Sequence, residues 1–333
     1  MDSDLRPMSL GEILDRTAQL YRNNFLLFAG IAAVFAGIAT VLSLLGIGLG
    51  ASLDALNPRA SQHWVVQLWN GLEILLVMLV GTVAVAANNR AVAWVHLSEP
   101  ATIGSAYKSV MPYLGRYLWL GLLKTFYAWT PFIVLYAGLL IPYFYLQTKG
   151  VLPQPGAAPA PAPHLDPGII VFGIVALIFV LLFLPVLAIC IVVALRYALA
   201  VPASVVENLK ARAAIRRSIE LTKEARGRIF MLWLLVGVIE IGLFILTQGI
   251  FVVYAMKHHY EIPASIRVVQ QLISFLTTSF VAPILETGTT LFYYDQRVRK
   301  EGFDIERMMR AAGLTAEAEP AVMPVSPETG EHA

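Results

Sequence analysis

Charge is scarce in this chain: Asp, Glu, Lys and Arg together make up 14% of the residues, against roughly a quarter in ordinary soluble domains. That shortage excludes a water-soluble shell. Cysteine is scarcer still, since Cys190 stands alone and an intrachain disulfide needs two. Reaction signatures are also missing, because the sequence contains no phosphate-binding G-x-x-x-x-G-K-[ST] loop, no H-E-x-x-H pair and no G-x-S-x-G elbow. The expectation is therefore of no enzyme, no cofactor and no resident metal. His258, His259 and Glu261 imitate a metal site, but adjacent histidines seldom converge on one ion without further ligands.

What is abundant is apolar residues, 58% of the chain, with a mean hydropathy of +0.69. They gather into six runs, 25–50, 67–95, 117–147, 168–195, 229–256 and 270–294, each meeting the length of about 20 residues that crosses hydrocarbon. The expected fold is an all-α integral membrane protein of six transmembrane helices. The opening Met1-Asp2-Ser3-Asp4 is acidic, unlike a secretory signal, and the first run is expected to stay attached.

Orientation comes from the basic residues. Eight of the 24 Lys and Arg residues fall between two spans, at Arg196, Lys210, Arg212, Arg216, Arg217, Lys223, Arg226 and Arg228. Basic loops are retained in the cytoplasm. Placing both termini inside leaves only Arg59, Lys149, Lys257 and Arg267 of the basic residues outside. The outer loop 150–167, rich in Pro and Ala, reads as an extended spacer, and the segment 311–333 as a disordered cytoplasmic tail.

An internal repeat appears on the inner side. Pro7-Met8-Ser9-Leu10-Gly11 matches Pro100-Ala101-Thr102-Ile103-Gly104, with Ser9 and Thr102 suited to cap a helix. Leu10, Ile13, Leu14, Leu20 and Tyr21 fall on Ile103, Ala106, Tyr107, Tyr113 and Leu114, one apolar helical face in each copy. A third copy is suggested at Pro202-Ala203-Ser204-Val205, followed by a basic helix with Ile215 and Ile219 on its apolar side. Three units would result, each an amphipathic helix followed by two spans. The helix 1–24 and its counterparts are expected to lie in the interface, apolar face in the acyl boundary and cations near anionic head groups. The candidate lipid contacts are Arg212, Arg216, Arg217, Arg297, Arg299 and Lys300; no nucleic-acid partner is expected.

Ionisable groups inside the spans form the other candidate site. Lys124, Glu240 and Glu286 must be neutral, paired or hydrated there; either structural pairing or a translocation path accounts for them, and Glu73 lies near an outer end. Pro131, Pro142, Pro185 and Pro283 interrupt three spans and can free backbone carbonyls. Gly46 and Gly50 make one small-xxx-small spacing.

Three stretches carry a family resemblance: Arg6-Pro7-Met8-Ser9-Leu10-Gly11-Glu12-Ile13-Leu14-Asp15-Arg16, Leu195-Arg196-Tyr197-Ala198-Leu199-Ala200-Val201-Pro202, and Phe292 through Asp304 with its Tyr293-Tyr294-Asp295-Gln296-Arg297 core. Together they resemble the bacterial family named for the membrane domain of glycerophosphoryl diester phosphodiesterase, from about residue 5 to 308. In fused members of that family the phosphodiesterase chemistry belongs to a separate soluble barrel, and residues 295–333 after the last span are too few for one. The resemblance thus implies a multi-pass inner-membrane protein without hydrolysis. The expected function is a non-catalytic accessory or scaffold with a lipid or envelope-related role; the alternative is a small-solute transporter or channel using Lys124, Glu240 and Glu286.

Overall fold

A computed structural model of the chain describes residues 6–56, 64–148, 167–258 and 262–311. The Pro- and Ala-rich loop up to residue 166, the tail from residue 312, and Arg59, Lys149, His259 and Glu261 lie outside the described residues. Among the described residues every regular element is helical. In chain order these are α1 (Leu10–Asn23), α2 (Phe25–Leu56), α3 (Trp64–His96), α4 (Ile103–Val110), a 3-10 turn (Met111–Tyr113), α5 (Leu114–Thr148), α6 (Pro167–Arg196), α7 (Ala200–Val206), α8 (Ala211–Thr222), α9 (Arg226–Lys257), α10 (Ala264–Glu301) and α11 (Phe303–Ala311).

Six of these, α2, α3, α5, α6, α9 and α10, contain stretches long and apolar enough to cross a membrane. They coincide with the six hydropathic runs and extend past them, because chain that leaves hydrocarbon can continue its helix. The prolines do not end the spans: Pro131 and Pro142 lie within α5, Pro185 within α6 and Pro283 within α10.

The short helices all gather at one end of the bundle, where the spans carry their buried residues. Two clusters make up that core. One joins Phe28, Ala87, Val92, Tyr117, Leu120, Val205 and Ala214, the other Ile13, Leu20, Leu199, Leu221, Ile229, Leu232 and Phe292. At the opposite end the surfaces are apolar and open, and in the most apolar stretches of the regions containing α5 and α6 no residue is buried. Lipid replaces protein as the packing partner there.

Capping explains where the first two short helices begin. Ser9 Oγ accepts from the Glu12 N–H at 3.3 Å while Glu12 Oε2 accepts from the Ser9 N–H at 2.7 Å, and Thr102 with Ser105 repeats the device at 3.1 and 3.0 Å. Each pair satisfies two donors that a helix start would otherwise leave open. The Ser9 N–H and the Arg6 guanidinium hold the Glu12 carboxyl down to about 2.

The third copy departs from this scheme. Ser204 lies inside α7, fully buried, and donates to the Leu209 carbonyl at 2.9 Å. The basic helix α8 starts independently at Lys210, after Asn208 turns the chain with a φ of 56°, a conformation asparagine tolerates better than most residues.

The amphipathic faces meet protein rather than acyl chains, which corrects the interfacial expectation. In α1 the buried side chains are Ile13, Thr17 and Leu20, against α10. In α4 they are Ala106 and Val110, against α3 and α2. In α8 they are Ala211, Ala214, Ile215, Ser218, Leu221 and Thr222, among α5, α6, α7 and α10. Polar contacts fix the seating of α8, because Ser218 Oγ donates to the Arg196 carbonyl at 2.8 Å and accepts from the Leu199 N–H at 3.1 Å.

Glycines permit the closest approaches between spans. A Cβ at Gly121 of α5 would overlap the Thr82 methyl group and stand 3.0 Å from Thr82 Cβ on α3. Gly46 faces Trp69 in the same way, whereas a Cβ at Gly50 would meet nothing within 4 Å, so the small-xxx-small spacing acts at one position only. Gly121→Val is expected to cost about 1–3 kcal/mol through overpacking, lowering the thermal midpoint in detergent. Gly237→Ala, in open space, should leave that midpoint in place.

Candidate functional site

Asp295 organises the buried polar groups at the capped end. It sits in the last third of α10 with its side chain 0% exposed, and a carboxylate so buried requires compensation by donors and cations. Four residues donate to it. The Met8 N–H donates to Oδ1 at 2.8 Å and Gln296 Nε2 to Oδ2 at 2.9 Å. Arg228, at the start of α9, reaches Oδ2 at 3.2 Å, and Arg299 Nε lies 3.0 Å from both oxygens. Arg299 also donates to the Met8 carbonyl at 2.6 Å. One carboxylate therefore joins the N-terminal segment to the first turn of α9 and the last turns of α10.

A second network lies beside it. Arg217 Nε of α8 donates to the two Glu207 oxygens at 2.9 and 3.0 Å, and its terminal nitrogen pairs with Glu301. Tyr293 donates to Glu207 at 2.6 Å, and Arg297 donates to Glu301 at 3.1 Å with its guanidinium 4.1 Å from the centre of the Phe303 ring. Burial opposes the charge on Arg217, yet its bonds to Glu207 and Glu301 carry its pKa upward.

These contacts divide the six candidate lipid-binding residues. Arg217, Arg297 and Arg299 are bound to carboxylates of the protein itself, and Lys300 donates to the Glu220 carbonyl at 2.8 Å. Arg212 and Arg216 are exposed, and among the described residues neither forms an ion pair. Together with Lys210, and with Glu207 and Glu220 in the same lining, they border an open groove of about 600 Å³ along α8.

The intramembrane candidates also separate. Lys124 of α5 and Glu286 of α10 lie close enough for their charges to interact, and both are half-buried. Glu286 Oε2 accepts from Asn88 Nδ2 of α3 at 2.5 Å. Next to it, Thr290 donates to Asn89 and to the Glu286 carbonyl, so two asparagines tie α3 to α10. Glu240 does not join them. It lies on the exposed side of α9 and lines a different cleft, of about 370 Å³, with side chains of α10. Glu73 stands beside Gly46, between α3 and α2.

Asp295, Glu207, Asn88 and Asn89 are not among the residues that sequence reasoning selected. Three of these had a local signal: Asn88-Asn89 interrupts an apolar run, and Asp295 precedes Arg299 by four residues, the spacing of a helical ion pair. Glu207 had none, since its partners come from α8 and α10. Among the described residues no three His, Cys, Asp or Glu side chains cluster as metal ligands. His258 stacks on Tyr254 at 4.3 Å between ring centres.

The architecture defines a six-span, all-α multi-pass membrane protein. Within that class, residues 171–324 match the family described as the membrane domain of glycerophosphoryl diester phosphodiesterase. The matched stretch takes in both Leu195–Pro202 and Phe292–Asp304, and with them Asp295, Glu207 and Arg217; the opening Arg6–Arg16 lies outside it. No curated protein and no solved structure matches the chain.

Asp295→Asn is expected to keep the side-chain shape but leave Arg228 and Arg299 without their carboxylate. Removing one partner of a buried pair costs about 3–5 kcal/mol, less where the arginines reach water. The expected outcome is a thermal midpoint in detergent lowered by several degrees, measured by size-exclusion after heating.

Proposed function

We propose that this is a non-catalytic accessory protein of a bacterial inner membrane, both termini cytoplasmic, that holds anionic lipid at its cytoplasmic face. The observation that carries the reading is the division of the cations: four of the six candidates are engaged within the protein, while Arg212 and Arg216, with Lys210, stand exposed around one groove. Cations that are not neutralised internally attract anionic head groups, each by up to about 1 kcal/mol before screening. The positive-inside distribution supports the orientation. The match over residues 171–324 is to a membrane domain, which supports the membrane setting and leaves the lipid role as our own reading.

A translocation path through Lys124, Glu240 and Glu286 is the weaker reading. Lys124 and Glu286 offset each other beside Asn88, and Glu240 belongs to a separate cleft. Three groups that do not share one cavity do not make one path.

The test is a triple substitution, Lys210→Gln with Arg212→Gln and Arg216→Gln, followed by mass-spectrometric analysis of lipid co-purified from nanodiscs of mixed phosphatidylglycerol and phosphatidylcholine. Enrichment of phosphatidylglycerol around the protein should fall about tenfold, within the reach of three charges, with the thermal midpoint unchanged. Undiminished enrichment would remove the basis of the proposal. Arg299→Gln should show the opposite pattern, a lowered midpoint with enrichment retained.

A further inference from the structure

The cleft between α9 and α10 is lined by polar side chains at a depth where an unpaired polar group is costly. It is lined by Glu240, Thr247, Gln248, Gln270, Thr277 and neighbouring side chains, with no Lys, Arg or His among them. At 1.5 Å per residue, Gln270 and Thr277 lie about 9 and 20 Å along α10 from its first residue, and Glu240 about 26 Å along α9 from Lys257. Most of the cleft is therefore level with the hydrocarbon.

What each group offers follows from how its protons are used. Thr247 Oγ1 donates to the Leu243 carbonyl at 2.7 Å, and Thr277 Oγ1 to the Ile273 carbonyl at 3.0 Å. Both hydroxyls have thus spent their proton on their own helix and present lone pairs. Gln248 is 93% buried, being 7% exposed, and its Oε1 has no partner. Glu240 adds a carboxylate, and among the described residues no donor or cation meets it. The Gln248 Oε1 is thus a buried acceptor left without its bond, so the cleft is incomplete as it stands.

We propose that this cleft is a binding site for a primary ammonium group carried on a small polar molecule, with Glu240 as its counter-charge and Gln248 Oε1, Thr247 and Thr277 as hydrogen-bond acceptors. An ammonium carries three N–H donors and no acceptor, which matches the Glu240 carboxylate, Gln248 Oε1 and the threonine lone pairs, while the Gln270 and Gln271 amides and the Ser274 hydroxyl are left for the polar remainder of the molecule. The size fits as well: about 370 Å³ lies in the range of small-molecule sites and far exceeds a dehydrated metal ion. An anionic group is disfavoured by Glu240 and by the absence of a cation in the lining. Two sources offer the same chemistry, the ethanolamine head group of a phospholipid entering sideways from the bilayer and a free amine entering from water. The site is independent of the basic groove at the capped end, which lies on α8.

The experiment uses the full chain in phosphatidylcholine nanodiscs, with phosphatidylethanolamine or soluble ethanolamine as probe and native mass spectrometry as readout. Retention of either probe by the parent, with binding weakened at least tenfold in both Glu240→Gln and Gln248→Leu, is the expected result. Retention of the phospholipid alone assigns the site to a head group; retention of soluble ethanolamine assigns it to a free amine. The Gln248→Leu variant removes an acceptor without touching charge, and it keeps the test decisive if Glu240→Gln does not fold. Three results would overturn the proposal: neither probe held by the parent, equal retention in parent and variants, or displacement of ethanolamine by equimolar sodium or potassium. Phosphatidylglycerol should not compete, and equal competition by it would likewise rule out an ammonium site.

Discussion

A carboxylate sealed away from water cannot stay charged without partners, and Asp295 draws its partners from three parts of the chain. Arg228 opens α9, Arg299 closes α10, and Met8 precedes α1. One side chain therefore ties the segment before α1 to the last two spans. Replacing such a cluster with apolar residues can be neutral or even favourable, whereas losing one member is costly. Its consequence is specificity of arrangement more than strength.

Around that cluster the molecule has two kinds of packing. At the capped end, α1, α4, α7 and α8 fill the gaps between spans with small and branched apolar side chains, and residues such as Ala87, Val110, Leu199 and Ile229 reach 0% exposure. Farther along, α5 and α6 touch mainly each other and turn Leu, Ile, Val and aromatic side chains outward. Between lipid tails and apolar side chains there is little difference in hydrophobic driving force, so the open half needs no protein cover. The capped end needs it, because every helix terminus there brings backbone groups that must be satisfied.

The spans were legible in the sequence because hydropathy reports the solvent directly, and six runs became six helices. The starts of α1 and α4 were legible for a local reason: Ser9 with Glu12, and Thr102 with Ser105, contain their own capping partners. The destination of the amphipathic faces was not. Ile13, Leu20, Ile215 and Leu221 show the same periodicity whether they meet acyl chains or a neighbouring helix, and only tertiary structure tells the two apart. The same ambiguity affected the cations. Arg212 and Arg217 look alike in a basic loop, yet one is exposed and the other is gripped by Glu207 and Glu301, which lie ten residues upstream and on another helix. Lys124, Glu240 and Glu286 all fall within apolar runs, but position along a run does not report azimuth, and the bundle turns Glu240 toward a different cleft.

Protein contacts, not lipid, hold the short helices at the capped end. Hydrogen–deuterium exchange of the full chain, compared between a neutral detergent micelle and a bilayer containing anionic lipid, tests it most directly. The amides of Leu10–Asn23 and Ala211–Thr222 should be protected to the same degree in both. Protection present in the anionic bilayer and lost in the micelle would contradict it, because the helices would then depend on the membrane surface for their place.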